Sequence, residues 1–142
     1  VSGQGRTILH ASCIALDGRA LLILGPSGAG KSSLALEMIG LGARLVADDR
    51  TELERQGEAL IARSPPALAG LIEARGLGIL RAPFIHEARV ALAVDMGRRE
   101  TERLPQIHNI QVLGVPLDLV LGQEGSHFSS ALLLRLRSGR VA

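Results

Sequence analysis

The sequence predicts an α/β fold, a P-loop-containing single domain over residues 1–142 with a central mixed sheet flanked by helices. Three observations predict it. Ala20-Leu21-Leu22-Ile23-Leu24 is a short, wholly apolar run of the kind that forms a buried central strand. A glycine-rich turn follows at 25–30, and residues 31–40 then carry Leu34 and Met38, with Leu41, on one helical face. Apolar runs at 44–47 and 89–95 supply further strands to the same sheet.

The elements follow in order. Residues 8–15 read as a strand, and Asp17-Gly18 is a hairpin-type turn before the central strand. Gly42 is the expected stop of the helix that starts at 31. The next strand, Arg44 to Ala47, ends at Asp48-Asp49. Residues 51–62 contain strand-like pieces around a turn at Gly57. Ser64-Pro65-Pro66 reads as a helix start, with serine as cap and proline in the first turn, and the helix is expected to reach about Ala74. Gly76-Leu77-Gly78 is a loop. A strand covers 89–95, and the polar stretch 97–106 reads as a mobile loop. Short strands are expected near 107–113 and 115–121. Residues 129–137 fit either state, because the end alternates Leu-Arg-Leu-Arg while the start suits a helix.

The chain has 142 residues, 46% hydrophobic and 21% charged, enough for one core and for neither disorder nor two domains. Sixteen residues are Lys or Arg, and Lys31 is the only lysine among them. The net charge is +2 and the arginines are scattered, so a concentrated nucleic-acid footprint is absent. The only aromatics are Phe84 and Phe128, which removes base-stacking platforms. Cys13 is the only cysteine, so neither an intrachain disulfide nor a cysteine zinc cluster can form, and it is expected as a small core residue. The cytoplasm is the expected compartment. No apolar run is long enough to cross a membrane, and no signal peptide is evident.

Gly25-Pro26-Ser27-Gly28-Ala29-Gly30-Lys31-Ser32, with Ser33 after it, matches the phosphate-loop pattern G-x-x-x-x-G-K-[ST] in full. The residue types suit the chemistry. Glycines let backbone N–H groups approach phosphate oxygens, and the following helix adds its positive end. Lys31 places a cation on the outer phosphates, and the Ser32 hydroxyl can ligate Mg²⁺ held by a nucleotide. The only lysine falls at the one motif position that needs a compact ammonium. Its count also excludes a guanine-reading Asn-Lys-x-Asp motif and a eukaryotic-type protein kinase. Asp48 and Asp49 end the next strand, where an open α/β sheet faces its ligand crevice. A regular strand would aim only one of the two at the phosphate. Two neighbouring carboxylates can also raise one pKa, which suits proton transfer.

The order of these residues resembles a known family. His10 in a strand, the phosphate loop to Ser32, Leu45-Val-Ala-Asp48-Asp49-Arg50, and Glu73-Ala-Arg75-Gly76-Leu77-Gly78-Ile79 look like the catalytic domain of bacterial HPr kinase/phosphorylase. The resemblance covers about residues 7–121, and the Glu-x-Arg-Gly-Leu-Gly-Ile stretch is its most specific piece. The chain looks like the short form that lacks the N-terminal regulatory domain and occurs in alphaproteobacteria. The resemblance implies a kinase that uses ATP and Mg²⁺ to phosphorylate a serine of HPr or its nitrogen-related paralogue. It also implies the return reaction, in which inorganic phosphate removes the group as pyrophosphate. By position, Asp48 would be the acid/base, with His10 assisting and the loop arginine Arg103 stabilising charge. Ser32, Asp49 and Glu73 would serve the metal, and Arg75 and Gly76 belong to the signature loop. His86, His108 and His127 match nothing in the pattern and are expected to be structural or exposed. Family precedent is a homo-oligomer, a hexamer.

Two departures stand out. Gly122-Gln-Glu-Gly-Ser-His-Phe128 replaces a Gly-Arg-Asn turn, which bears on oligomer packing and on the HPr interface. The loop between Ile79 and Arg89 is short. Two other functions stay open: a phosphate-loop small-metabolite kinase, and a non-catalytic nucleotide-binding regulator.

Overall fold

Eleven strands and two helices make up the computed structural model, which describes residues 5–142. The first four residues of the expected domain lie outside that range. Strand β1 (Arg6–Leu9) is followed by β2 (Ser12–Leu16), β3 (Arg19–Leu24), helix α1 (Lys31–Gly40) and β4 (Arg44–Ala47). Then come β5 (Thr51–Gln56), β6 (Ala59–Arg63), β7 (Leu71–Ala74), β8 (Gly78–Arg81), β9 (Glu87–Arg99), β10 (His108–Val112), β11 (Val115–Gly122) and α2 (Phe128–Ser138).

The mixed sheet runs β1-β5-β6-β9-β3-β2-β4, with β11 also on β9 and β10 on β11. Strand β9 is the branch point. It pairs in parallel with β3 along Arg89 to Asp95, so β6 at its start and β11 at its end must share its other edge. β3 from Ala20 to Ile23 and β9 from Leu92 to Val94 are buried on both faces, as these apolar runs require.

Two cores result. On one face Ile14, Leu21, Ile23, Leu45, Leu92 and Val94 meet Leu34, Ala35 and Met38 of α1 and Phe128, Leu132 and Leu136 of α2. On the other face Cys13, Leu22, Val46 and Ala93 meet Leu53, Leu60, Val112, Val115 and Leu119, all from strands and their turns. The expected mixed sheet is present, but both helices cover the same face. The curled sheet fills its second core by folding back on itself. Cys13 is fully buried in that core, and burial pushes its thiol pKa up, away from reactivity.

Four local expectations change. The strand foreseen at 8–15 is two strands, because the chain bends at His10 and Thr51 Oγ1 donates to Ala11 O at 2.8 Å. β1 pairs with β5, while β2 pairs with β3 and β4. The helix foreseen from Ser64 to Ala74 is a single 3₁₀ turn, Pro66–Leu68, followed by the β7–β8 hairpin. Ser64 does not cap it; its hydroxyl donates to Pro65 O. Gly70 then takes φ +76°, a left-handed setting that ends helical geometry, and Ile72 turns into the core beside α1. The loop foreseen at 97–106 starts later, since β9 extends to Arg99. Leu41, placed on the buried face of α1 by spacing, is exposed beyond the helix end.

The ambiguous C-terminal stretch is helical. Phe128, Ser129, Leu132, Leu133 and Leu136 are buried while Ser130 and Leu134 are exposed, so a 3.6-residue period fits and a two-residue period does not. Arg135–Asp118 at 2.7 Å and Arg137–Asp17 at 2.9 Å tie its outer face to the strands. Among the described residues no helix is long and apolar enough to cross a membrane. Phe128→Ala should therefore cost about 3–5 kcal/mol. Urea unfolding is expected to show a lower midpoint with an unchanged slope.

Candidate active site

β3 and β9 are parallel neighbours, and Leu24, the end of β3, lies opposite Asp95 within β9. β3 therefore delivers its C-terminus to the glycine-rich loop at 25–30, and β9 continues alongside that loop. Gly30, at φ +93°, starts α1, so the helix N-terminus opens at Lys31. Lys31 Nζ folds back to donate to Gly25 O at 2.7 Å and Pro26 O at 3.0 Å. The loop leans on β9. A Cβ on Gly97 would lie 2.7 Å from Pro26 Cδ, and one on Gly25 would lie 3.1 Å from Gly97 N. Asp95 Oδ1 accepts Gly97 N–H at 2.8 Å and fixes this part of β9.

An open cavity of about 280 Å³ lies over the loop and the start of α1. Ser27, Gly28, Gly30, Lys31, Ser32 and Ser33 form its floor, and Asp49, Glu73 and Arg75 form its wall with Ser12. Gly25, Pro26 and Ala29 complete the loop behind it.

Asp48 organises the wall. Its Oδ1 accepts Ser32 Oγ at 2.7 Å and Ser12 Oγ at 2.9 Å, and its Oδ2 accepts the Glu73 N–H at 3.2 Å. Asp49 takes φ +67°, a left-handed setting that Asp tolerates better than most residues. The chain thus leaves strand geometry directly after Ala47. Both carboxylates reach the site, where a regular strand would have brought only one. They are not equivalent: both oxygens of Asp48 are engaged, whereas Asp49 is exposed on the cavity wall.

Ser32, Asp49 and Glu73, expected around a metal, all border the cavity. Among the described residues no three carboxylate, imidazole or thiol groups cluster tightly enough to hold an ion alone. Hard hydroxyl and carboxylate oxygens beside a phosphate-sized floor fit Mg²⁺, which takes few protein ligands and completes its shell with phosphate oxygens and water.

His10 and Arg103 are not brought to this cavity. His10 is exposed at the bend between β1 and β2, and Arg103 is exposed in the loop after β9. That loop is pinned at both ends. Glu100 accepts the backbone N–H groups of Glu102 and Thr101 and contacts His108 at 3.1 Å, and these bonds hold its carboxyl below the ordinary range. Arg140 Nη2 donates to Pro105 O at 2.5 Å. Sequence reasoning missed Ser12. The available signal was a hydroxyl opening an otherwise apolar strand.

The fold and site define a class: a mixed α/β domain whose strand–glycine loop–helix unit gathers one lysine, serine hydroxyls and paired carboxylates around a single cavity. Residues 4–104 match the family described as HPr Serine kinase C-terminal domain, and the chain belongs to that family. It is 38% identical over 141 residues to the HPr kinase/phosphorylase of Cupriavidus necator, and equally so to that of Ralstonia pickettii, with 91% of this chain and 44% of each relative aligned. The chain thus spans less than half the length of these relatives. A solved structure of the Hpr(Ser) kinase/phosphatase from Coxiella burnetii superposes with a TM-score of 0.73 at 25% identity, covering 90% of this chain and 91% of that one.

The contact between β9 and the loop is testable through stability. Gly97→Ala should destabilise by about 1–3 kcal/mol, because Pro26 or β9 must move. Gly40→Ala, at the end of α1 with open space around it, should be neutral or stabilising. Thermal unfolding of the two variants is the check.

Proposed function

We propose that residues 1–142 form one catalytic unit that transfers the γ-phosphoryl group of ATP to a serine of HPr or its nitrogen-related paralogue, and that removes it with inorganic phosphate as pyrophosphate. The observation that carries this reading is the Ser32–Asp48–Asp49 constellation beside the loop lysine, in a chain of the HPr serine kinase C-terminal domain family.

Loop N–H groups and the α1 N-terminus receive the phosphates, and Lys31 exchanges its two loop carbonyls for outer phosphate oxygens. Bound Mg²⁺ would neutralise phosphate charge, and the Ser32 hydroxyl, with Asp48 behind it and Glu73 nearby, would hold it. In this reading Asp49, whose exposed carboxylate borders the cavity, takes the proton in place of Asp48, whose oxygens accept three hydrogen bonds. In the forward direction the serine Oγ bonds to the γ-phosphorus, the bond to the β-phosphate oxygen breaks, and the hydroxyl proton passes to Asp49. In the return direction a phosphate oxygen bonds to the phosphoserine phosphorus. The bond to Oγ breaks, Asp49 returns the proton to Oγ, and pyrophosphate leaves. Neither His10 nor Arg103 borders the cavity, so neither is assigned a step. A small-metabolite kinase accounts less well for the Glu73–Ile79 signature.

The protein incubated with HPr, ATP and Mg²⁺ is expected to yield phosphoserine by mass spectrometry, and phosphoserine-HPr with phosphate is expected to yield pyrophosphate. Asp49→Asn should lower both rates about 10²–10⁴-fold with nucleotide affinity nearly intact. Asp48→Asn should instead weaken Mg²⁺-dependent nucleotide binding, and Lys31→Ala should weaken phosphate binding. Nucleotide binding without transfer to any HPr would point to a regulator instead of an enzyme.

A further inference from the structure

We propose that Ser12 is a positioning residue: its buried hydroxyl holds Asp48 so that Asp48 in turn aims the Ser32 hydroxyl at a nucleotide-bound Mg²⁺. This role rests on reading the cavity as a Mg²⁺–nucleotide site.

Ser12 is fully buried at the start of β2, between Ala11 and Cys13, which are also fully buried. A buried hydroxyl needs a partner, and serine commonly finds one in its own backbone neighbourhood. Ser12 instead reaches a carboxylate 36 residues away in sequence. It donates to Asp48 Oδ1, the same oxygen that accepts Ser32.

That shared oxygen has a consequence for Ser32. A hydroxyl carries one hydrogen and two lone pairs. While the hydrogen of Ser32 is committed to Asp48 Oδ1, both lone pairs remain for the cavity, and a cation needs a lone pair. The direction of the hydrogen depends on where Oδ1 sits. Without Ser12, Asp48 would be held by the rotatable Ser32 hydroxyl and by a 3.2 Å bond from Glu73 N–H, at the long end of the normal range. The carboxylate could then turn, and the Ser32 hydrogen could point into the cavity and repel a cation. The backbone of Ser12 is anchored by its pairing opposite Ile23, and its complete burial restricts the side chain, so its hydroxyl is less free to turn than that of Ser32.

The test is binding of a fluorescent ATP analogue to the whole chain, titrated with Mg²⁺ and repeated in EDTA. Ser12→Ala should raise the Mg²⁺ concentration at half-maximal binding about tenfold, while affinity in EDTA stays unchanged. Ser12→Thr, which keeps the hydroxyl, should restore the wild-type midpoint. An unchanged Mg²⁺ midpoint in Ser12→Ala overturns the role. So does an equal loss of affinity in EDTA, which would mean that Ser12 merely supports the loop. A Thr variant that melts like wild type but binds like the Ala variant also overturns it. Wild-type binding indifferent to Mg²⁺ removes the metal reading beneath it. If Mg²⁺-dependent binding is intact but HPr is not phosphorylated, only the acceptor assignment fails.

Discussion

The site depends on one carboxylate being satisfied from three directions. Asp48 is half-buried, and a half-buried charge is costly unless hydrogen bonds replace the lost water. Its three donors belong to three chain segments: Ser12 opens β2, Ser32 lies in the first turn of α1, and the Glu73 N–H belongs to β7. Hydrogen bonds to charged groups contribute about 1.5–3 kcal/mol each. Asp48 therefore fixes the glycine-rich loop, the central sheet and the β7–β8 hairpin relative to one another. Because β7 comes through its backbone, the Glu73 side chain stays free to border the cavity.

This arrangement needs strand ends that do not move, and the sheet provides them. β3 carries the loop and β2 carries Ser12, and both are interior strands; the far edge of β2 is covered by β4. β4 itself is closed off by the crossing of residues 83–85, where Leu45 N–H donates to Pro83 O and Ile85 N–H donates to Leu45 O. β2, β3 and β4 are buried along almost their whole length, so polar side chains in this part of the sheet are confined to the strand ends, where Ser12 and Asp48 lie.

Whether a feature could be read from sequence depended on how local its cause was. The glycine-rich loop, α1 and its Gly42 stop follow from a motif and a period within about 20 residues, and they are placed as expected. The break at His10 is set by Thr51, and the β7–β8 hairpin by Gly70 together with the burial of Ile72 against α1, so a local proline signature misled. That both Asp48 and Asp49 reach the site turns on one left-handed residue, Asp49, that alternation cannot foresee. Ser12 was hardest, because its meaning lies in a partner 36 residues away. The leucine spacing in α2 was legible, but the competing Leu-Arg alternation hid it until burial chose between the two periods.

The use of basic residues follows the same division between structure and chemistry. Arginine holds the fold at many surface points: Arg19 donates to the carbonyls of Leu136 and Arg137 at the end of α2, Arg55 to Gly57 and Leu113, and Arg140 to Pro105. A planar fork suits that work, since it binds fixed carbonyls at a fixed spacing. Lys31 also rests on two carbonyls, but they belong to the loop that it must serve. An ammonium on a flexible stem can release such carbonyls without reorienting a plane, which is what the proposed transfer of Lys31 to phosphate oxygens requires, and that position is where this chain has its one lysine.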